Sequence, residues 1–151
     1  MKKTFEYKQP VYFSDVDMGG VLYHARYFDY CDRARQGALA ELGFSFRDML
    51  SMNVGIAVAG AKVSFKRPVY FGDEVLIRSR LKEMSGAVFV IHQEVFESLE
   101  VSNYENPRPR SHLEVQLVFI DLTSKKKTSI PADLLPKFES LMGLVTDEVE
   151  T

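Results

Sequence analysis

Apolar and polar side chains alternate through residues 5–13 (FEYKQPVYF), with Phe5, Tyr7, Val11 and Phe13 on one face and Glu6, Lys8 and Tyr12 on the other. Period two with aromatics predicts a half-buried strand, and Pro10, which cannot donate to a ladder, places it at an edge or a bulge. Across residues 25–42 the period changes: Tyr27, Cys31, Ala34, Ala38 and Leu42 recur at three- and four-residue steps, while Asp29, Asp32, Arg33 and Gln36 fall elsewhere. This is the pattern of one amphipathic helix, with Asp29 and Arg33 spaced as an i,i+4 pair. Gly43 stands where a left-handed C-terminal cap belongs, and Gly37 inside the helix costs roughly 1 kcal/mol relative to alanine. Small residues on the apolar stripe predict close packing against the concave side of a sheet.

After a short segment at 46–52, strand patterns dominate. Residues 55–66 (GIAVAGAKVSFK) are small and apolar, with Val63 and Phe65 on one face, until Arg67-Pro68 breaks the run and Gly72-Asp73 makes a turn. At 74–83, Val75, Ile77, Ser79 and Leu81 oppose Leu76, Arg78, Arg80 and Lys82. Ser85-Gly86 turns the chain into 87–96, whose unbroken apolar opening at 87–91 reads as a strand covered on both faces. Leu113, Val115, Leu117 and Phe119 alternate with Glu114 and Gln116 along 113–121. Between the last two strands, 100–110 (EVSNYENPRPR) is polar and carries Pro107 and Pro109, which predicts a mobile hairpin extension. Pro136 is tolerated only in a helix's first turn, so a terminal helix is expected there, using Phe138, Leu141 and Met142. Short turns between successive strands imply antiparallel pairing, so the class is α+β, a curved sheet around a central helix.

Composition narrows the class without changing it. The 151 residues, 46% hydrophobic and 26% charged, fit one domain spanning 1–151. A net charge of −2 gives no field for nucleic acid, no apolar run predicts a membrane span, and the start MKKTFEYKQP lacks a signal's apolar core, so a cytoplasmic protein is expected. One cysteine excludes an internal disulfide framework and a multi-cysteine metal site.

The candidate chemistry is concentrated at 14–30, SDVDMGGVLYHARYFDY. Two carboxylates (Asp15, Asp17), a glycine pair (Gly19, Gly20) and His24 lie between the first strand and the helix start. Glycine permits a tight turn and close substrate approach, and a helix start offers unpaired N–H groups. Asp17 before the glycines also suits a plain turn, since aspartate bonds its own backbone there. Asp15 is read as structural. Cys31 falls on the apolar stripe, where a thiol acts as a small apolar group, and His92 and His112 are read as packed or surface histidines; no metal is expected.

The segment VYFSDVDMGGVLYHARYFDYCDRAR (11–35) closely resembles the signature of the hotdog-fold acyl-CoA thioesterases, in the branch of 4-hydroxybenzoyl-CoA thioesterase and the Tol-Pal-associated thioesterase. RPVYFGDEV (67–75) and VFIDLTSKKKTSIPADL (118–134) resemble later landmarks of that family. The resemblance implies a five-stranded antiparallel sheet wrapped around the helix, subunits paired through their sheets as a homodimer or homotetramer, and active sites at the interface. By position it makes Asp17 the catalytic aspartate, Gly20 the glycine of its loop, and His24 the residue whose backbone N–H polarises the thioester carbonyl, preceded by Tyr23. Many Tol-Pal-associated relatives carry a tyrosine four residues before the aspartate, where this chain has Phe13.

Thioester chemistry suits this set. The leaving thiol has a pKa of about 8.5 and needs little acid catalysis, so one carboxylate and an oxyanion site suffice. Asp17 would serve as general base or as nucleophile, with the His24 N–H as oxyanion donor, the His24 imidazole either touching substrate or idle, Tyr23 as a further catalytic candidate, and Gly19 and Gly20 at the substrate. Coenzyme A enters as part of the substrate, not as a cofactor, and its phosphates call for cations; Lys66, Arg67, Arg78, Arg80 and Lys82 are the candidates, each equally readable as a solvated strand face. The expected function is hydrolysis of an acyl-CoA. The alternatives are a thioesterase for acyl-carrier-protein substrates, a dehydratase, for which the helix has no acid–histidine pair, and a non-catalytic acyl-CoA-binding module.

Overall fold

The computed structural model describes residues 3–141. Its strands are β1 (Phe5–Pro10), β2 (Val54–Phe65), β3 (Glu74–Ser85), β4 (Val88–Glu97) and β5 (Ser111–Asp121), and its helices are α1 (Arg26–Glu41), α2 (Phe46–Ser51), α3 (Ser98–Asn103) and α4 (Leu135–Leu141). The strands form one antiparallel sheet in the order β1-β3-β4-β5-β2. Pro10 ends an edge strand, where its missing N–H costs no ladder bond.

Alternation along each strand separates two faces. Val75, Ile77, Ser79 and Leu81 of β3, Phe89, Ile91, Gln93 and Val95 of β4, and Leu113, Val115, Leu117 and Phe119 of β5 are all buried on the inner face. Against them lies the stripe of α1, where Tyr27, Cys31, Ala34 and Ala38 are buried together with Tyr30, Arg35 and Leu39. Arg35 does not interrupt the core because its guanidinium donates to Gln93 Oε1 at 2.8 Å, and Gln93 Nε2 in turn donates to Cys31 O and Ser79 Oγ, both at 2.9 Å. Gly43 takes φ +83° just past α1, as a left-handed cap requires. Lys137 of α4 donates to the Leu42 carbonyl at the same helix end.

Several expectations need correction. Strand β1 stops at Pro10, and Phe13 belongs to a 3-10 turn, exposed instead of sharing the face of Phe5 and Val11. Asp29 pairs with Arg26 at 2.9 Å, while Arg33 donates to Gln9 at 3.2 Å. On β4, Val88 and Val90 face outward and are only half-buried, so that strand is covered on one face along its first half. The polar stretch after β4 is not a free hairpin. It opens with α3, and Glu100 accepts from Arg110 Nη2 at 2.8 Å and from both Arg67 terminal nitrogens at 3.2 Å. Arg110 also donates to Pro68 O at 2.8 Å. The terminal helix forms as expected with Pro136 in its first turn, and Phe138 and Leu141 are buried; Met142 lies outside the described residues.

Phe138 packs with Phe89 and Phe119 at centroid distances of 5.2 and 6.3 Å and is 2% exposed. Phe138→Ala is expected to cost about 3–5 kcal/mol, read from the shift in urea midpoint at constant m-value. The arginine bonds, Arg110's foremost, hold the Glu100 carboxyl below the usual glutamate range. A lowered folded-state pKa gives stability that is present above the unfolded value and lost as pH falls through the folded one. Glu100→Gln should therefore destabilise by about 1–2 kcal/mol at pH 7, and the gap from wild type should close below pH about 4 in thermal melts across pH.

Candidate active site

The site is a loop pinned between sheet and helix. Val16 bridges Leu22 and Val21 bridges Tyr70, so 16–22 forms a small finger against the β2–β3 connection. Leu22 N donates to Val69 O at 2.7 Å and Phe71 N to Gly20 O at 3.0 Å. At the tip, Gly20 N donates to Asp17 O at 3.0 Å and Gly20 has φ +75°, a conformation that disfavours a side chain. A Cβ on Gly19 would lie 3.2 Å from Asp17 Oδ1, so the glycine pair both makes the turn and leaves room for the carboxylate.

Asp17 is exposed, and its two oxygens differ. Oδ1 accepts from Gly19 N at 2.8 Å and Val21 N at 3.4 Å, whereas Oδ2 has no hydrogen-bond partner among the described residues. The turn role expected of an aspartate is thus met by one oxygen, leaving the other for a ligand. Asp15 points the opposite way. Its Oδ2 accepts the Tyr30 hydroxyl at 2.6 Å, its backbone carbonyl accepts Tyr23 N at 2.9 Å, and Arg26 lies 3.8 Å away. Burial first, then the bond to Asp15, drives the Tyr30 phenol far above its ordinary range, so it remains a donor. Asp15 therefore fastens the loop to α1.

The chain enters α1 through a turn in which Arg26 N donates to Tyr23 O at 2.8 Å, and no side chain caps the helix. Among the described residues the His24 and Ala25 N–H groups have no acceptor. They lie just ahead of the first turn of α1, where the helix dipole favours negative charge. Asp17 and His24 line one shallow cavity of about 300 Å³ with Val21, Tyr27, Lys66 and Arg67. Phe65 at the end of β2 meets Tyr27 edge-on at 5.1 Å beneath it. On the other side of the loop, Tyr23, Phe13, Met18 and Arg26 surround Asp17, and the Tyr23 ring leans on His24 at 4.3 Å.

The structure thus gathers Asp17, Gly19, Gly20, Tyr23, His24, Lys66 and Arg67, and separates the other three cations from them. Arg78 is bound by Glu6 at 3.0 Å, Lys82 by Glu114 at 3.1 Å, and Arg80 lies beside them on the outer face of β3. Arg67 is itself tied to Glu100, which leaves Lys66 as the cation of the cavity without an ion-pair partner among the described residues. Cys31 is buried and its thiol is pushed up to about 12 by that burial, which removes it as a nucleophile. Sequence reasoning missed Tyr27 and Phe65 as cavity walls; the aromatic at each position was visible, but their meeting depends on how β2 ends over α1. It also missed an apolar cavity of about 290 Å³ between the second half of α1, α2 and β2, lined by Leu39, Phe44, Met49, Ile56 and Leu117 with Arg35 at its wall. That cavity shares no residue with the Asp17 cavity.

The model of the thioesterase-like superfamily matches residues 11–138. The acyl-CoA thioester hydrolase YbgC of Escherichia coli O6:H1 is 28% identical over 135 residues, covering 89% of this chain and 96% of that protein. A 1,4-dihydroxy-2-naphthoyl-CoA thioesterase from Synechocystis superposes with a TM-score of 0.78 at 23% identity, over 90% of this chain and 96% of that one. A Staphylococcus aureus protein solved in complex with CoA superposes at 0.79 with 12% identity, over 100% and 89% of the two chains. With a finger-held aspartate beside an uncapped helix start, and a family match running from the end of β1 into α4, this chain belongs to the thioesterase-like superfamily and has the hotdog fold.

Proposed function

We propose that the protein hydrolyses an acyl-CoA thioester, with Asp17 as the reactive carboxylate and the His24 backbone N–H as oxyanion donor. The observation that carries this reading is the division of labour at Asp17, which lines one cavity with His24: Oδ1 is held by two backbone N–H groups while Oδ2 has no hydrogen-bond partner among the described residues. The names of the YbgC relatives and the CoA complex of the Staphylococcus aureus protein support the substrate class.

In the reaction, a new C–O bond forms at the thioester carbonyl, its electron pair moves to the carbonyl oxygen, and the collapse of that oxyanion breaks the C–S bond. Asp17 Oδ2 either takes the proton of the attacking water or forms the C–O bond itself as a mixed anhydride that water then opens. In both routes the proton ends on the departing thiolate, whose pKa of about 8.5 makes it a good leaving group. The uncapped N–H groups at the start of α1 face the developing charge without needing to reorganise, a contribution of about 2.7–4 kcal/mol per donor in comparable sites. Phe13 supplies no hydroxyl, so on this reading Asp17 is the group that orients the water.

Lys66 is the cation suited to a CoA phosphate, with Arg67 held beside it by Glu100. On this reading coenzyme A is part of the substrate and not a cofactor. Phe13 is 79% exposed and Met18 fully exposed around the loop, with Phe65, Tyr70 and Phe71 half-exposed nearby, and these apolar surfaces support a homo-oligomer whose second copy closes the site. Cytoplasmic residence is the setting in which acyl-CoA is the substrate. Among the described residues no helix is long and apolar enough to cross a membrane.

The test is thiol release from a panel of short, long and aromatic acyl-CoAs. Asp17→Asn keeps the shape and the turn and is expected to lower kcat/KM by about 10²–10⁴-fold. His24→Ala retains the backbone N–H and should lose less than about tenfold. Turnover by Asp17→Asn equal to wild type would sink the mechanism, and release only from acyl-carrier protein would reassign the substrate.

A further inference from the structure

The outer face of the sheet, turned away from α1 and from the Asp17 cavity, carries a second concentration of chemistry. On the adjacent antiparallel strands β4 and β5, Glu94 stands opposite His112 and His92 stands opposite Glu114. Residues two apart share a face, so these four side chains occupy the corners of one square, with the two histidines on a diagonal. The His92 and His112 rings lie 5.6 Å apart, and one ligating atom from each of His92, Glu94 and His112 falls within 4.8 Å of the others. All three are half-buried.

We propose that His92, Glu94 and His112 bind a divalent transition-metal ion of the Zn2+ class on this outer face. Two imidazole nitrogens and one carboxylate oxygen form a borderline-soft donor set that suits Zn2+, with the fourth position open to water. Donors on a tetrahedral zinc stand about 3.3 Å apart, given bonds of about 2.0–2.1 Å, so binding draws the three side chains together by rotation from within their present 4.8 Å.

The surrounding charges leave this set available. Arg78, opposite Glu94 on β3, is bound by Glu6, and Lys82 is bound by Glu114, so Glu94 has no ion-pair partner among the described residues. Lys62 of β2 stands opposite Glu114, on the far side from Glu94. Arg80 faces His92 across β3 and opposes a cation, yet it also favours the neutral imidazole a metal requires. Burial first, then Arg80, holds His92 below the usual histidine range. Neither cavity described above includes any of the three residues, so this site, which joins β4 to β5, is separate from the Asp17 cavity.

The experiment is titration of chelator-treated full-length protein with ZnCl2 by isothermal calorimetry at neutral pH, with Co2+ absorption as an optical probe. Wild type should bind about one Zn2+ per chain. His92→Gln and His112→Gln should each weaken binding by about tenfold or more, and the double variant should lose both the binding and the Co2+ visible band. The double variant should keep its far-UV spectrum and wild-type thioester hydrolysis, and His24→Gln, which changes the remaining histidine, should bind Zn2+ within about twofold of wild type. No saturable binding by wild type, or binding by the folded double variant equal to wild type, overturns the proposal.

Discussion

The Tyr30–Asp15 hydrogen bond is the interaction on which the rest of the site depends. Tyr30 is almost wholly buried on α1, and its hydroxyl reaches out of the core to the loop carboxylate at 2.6 Å. A hydroxyl there without a partner would leave a buried polar group, and a carboxylate there without one would leave a charge facing the protein, so each group makes the other's position affordable. The bond therefore does more than stabilise. It sets the distance between the packed helix and the finger that carries Asp17, and the Asp15 carbonyl, taking Tyr23 N, sets the chain's direction as it enters the helix.

With Asp15 so engaged at the end of the 3-10 turn, Asp17 two residues on stays exposed, and the glycine turn then holds one of its oxygens. Two carboxylates two residues apart thus acquire opposite roles because one meets a buried hydroxyl and the other meets only backbone N–H groups. The small residues of the α1 stripe serve the same end. Cys31, Ala34 and Ala38 let the sheet approach the helix closely, which brings Phe65 at the end of β2 over Tyr27 and forms the wall of the cavity.

Much of this was legible in the sequence wherever it rested on local periodicity. The helix expected over 25–42 forms at Arg26–Glu41, and each later strand appears within a few residues of its pattern, because a buried face imposes its period directly on the residue order. What was illegible rests on contacts between distant positions. Glu100 reads as one acid in a polar stretch, and it is the meeting of Arg67 and Arg110 around it that anchors the short helix capped by Glu97. Phe13 fits the alternation of the first strand, but the strand ends at Pro10, whose fixed φ and missing N–H release the chain into a 3-10 turn before Phe13 can share that face. Of the five candidate phosphate-binding cations, only Lys66 and Arg67 lie at the cavity; the other three are set on the far side of the sheet by the same alternation that made them visible as a basic face.

His92 and His112 show the limit most directly. Twenty positions separate them, and each alone is an unremarkable outward residue of a strand. Their adjacency follows from the register of β4 on β5, in which Glu94 meets His112. A slip of two residues would keep every apolar side chain facing α1, yet in one direction it would part the two rings and in the other set them face to face with Glu94 moved off His112, while a slip of one would bury the charged face outright. The hydrophobic pattern therefore constrains the parity of the register, and the remaining choice is made by particular inner contacts such as Gln93, whose amide must reach both Cys31 O on the helix and Ser79 on β3. The buried polar network that fixes the inner face thereby also fixes which side chains become neighbours on the outer one.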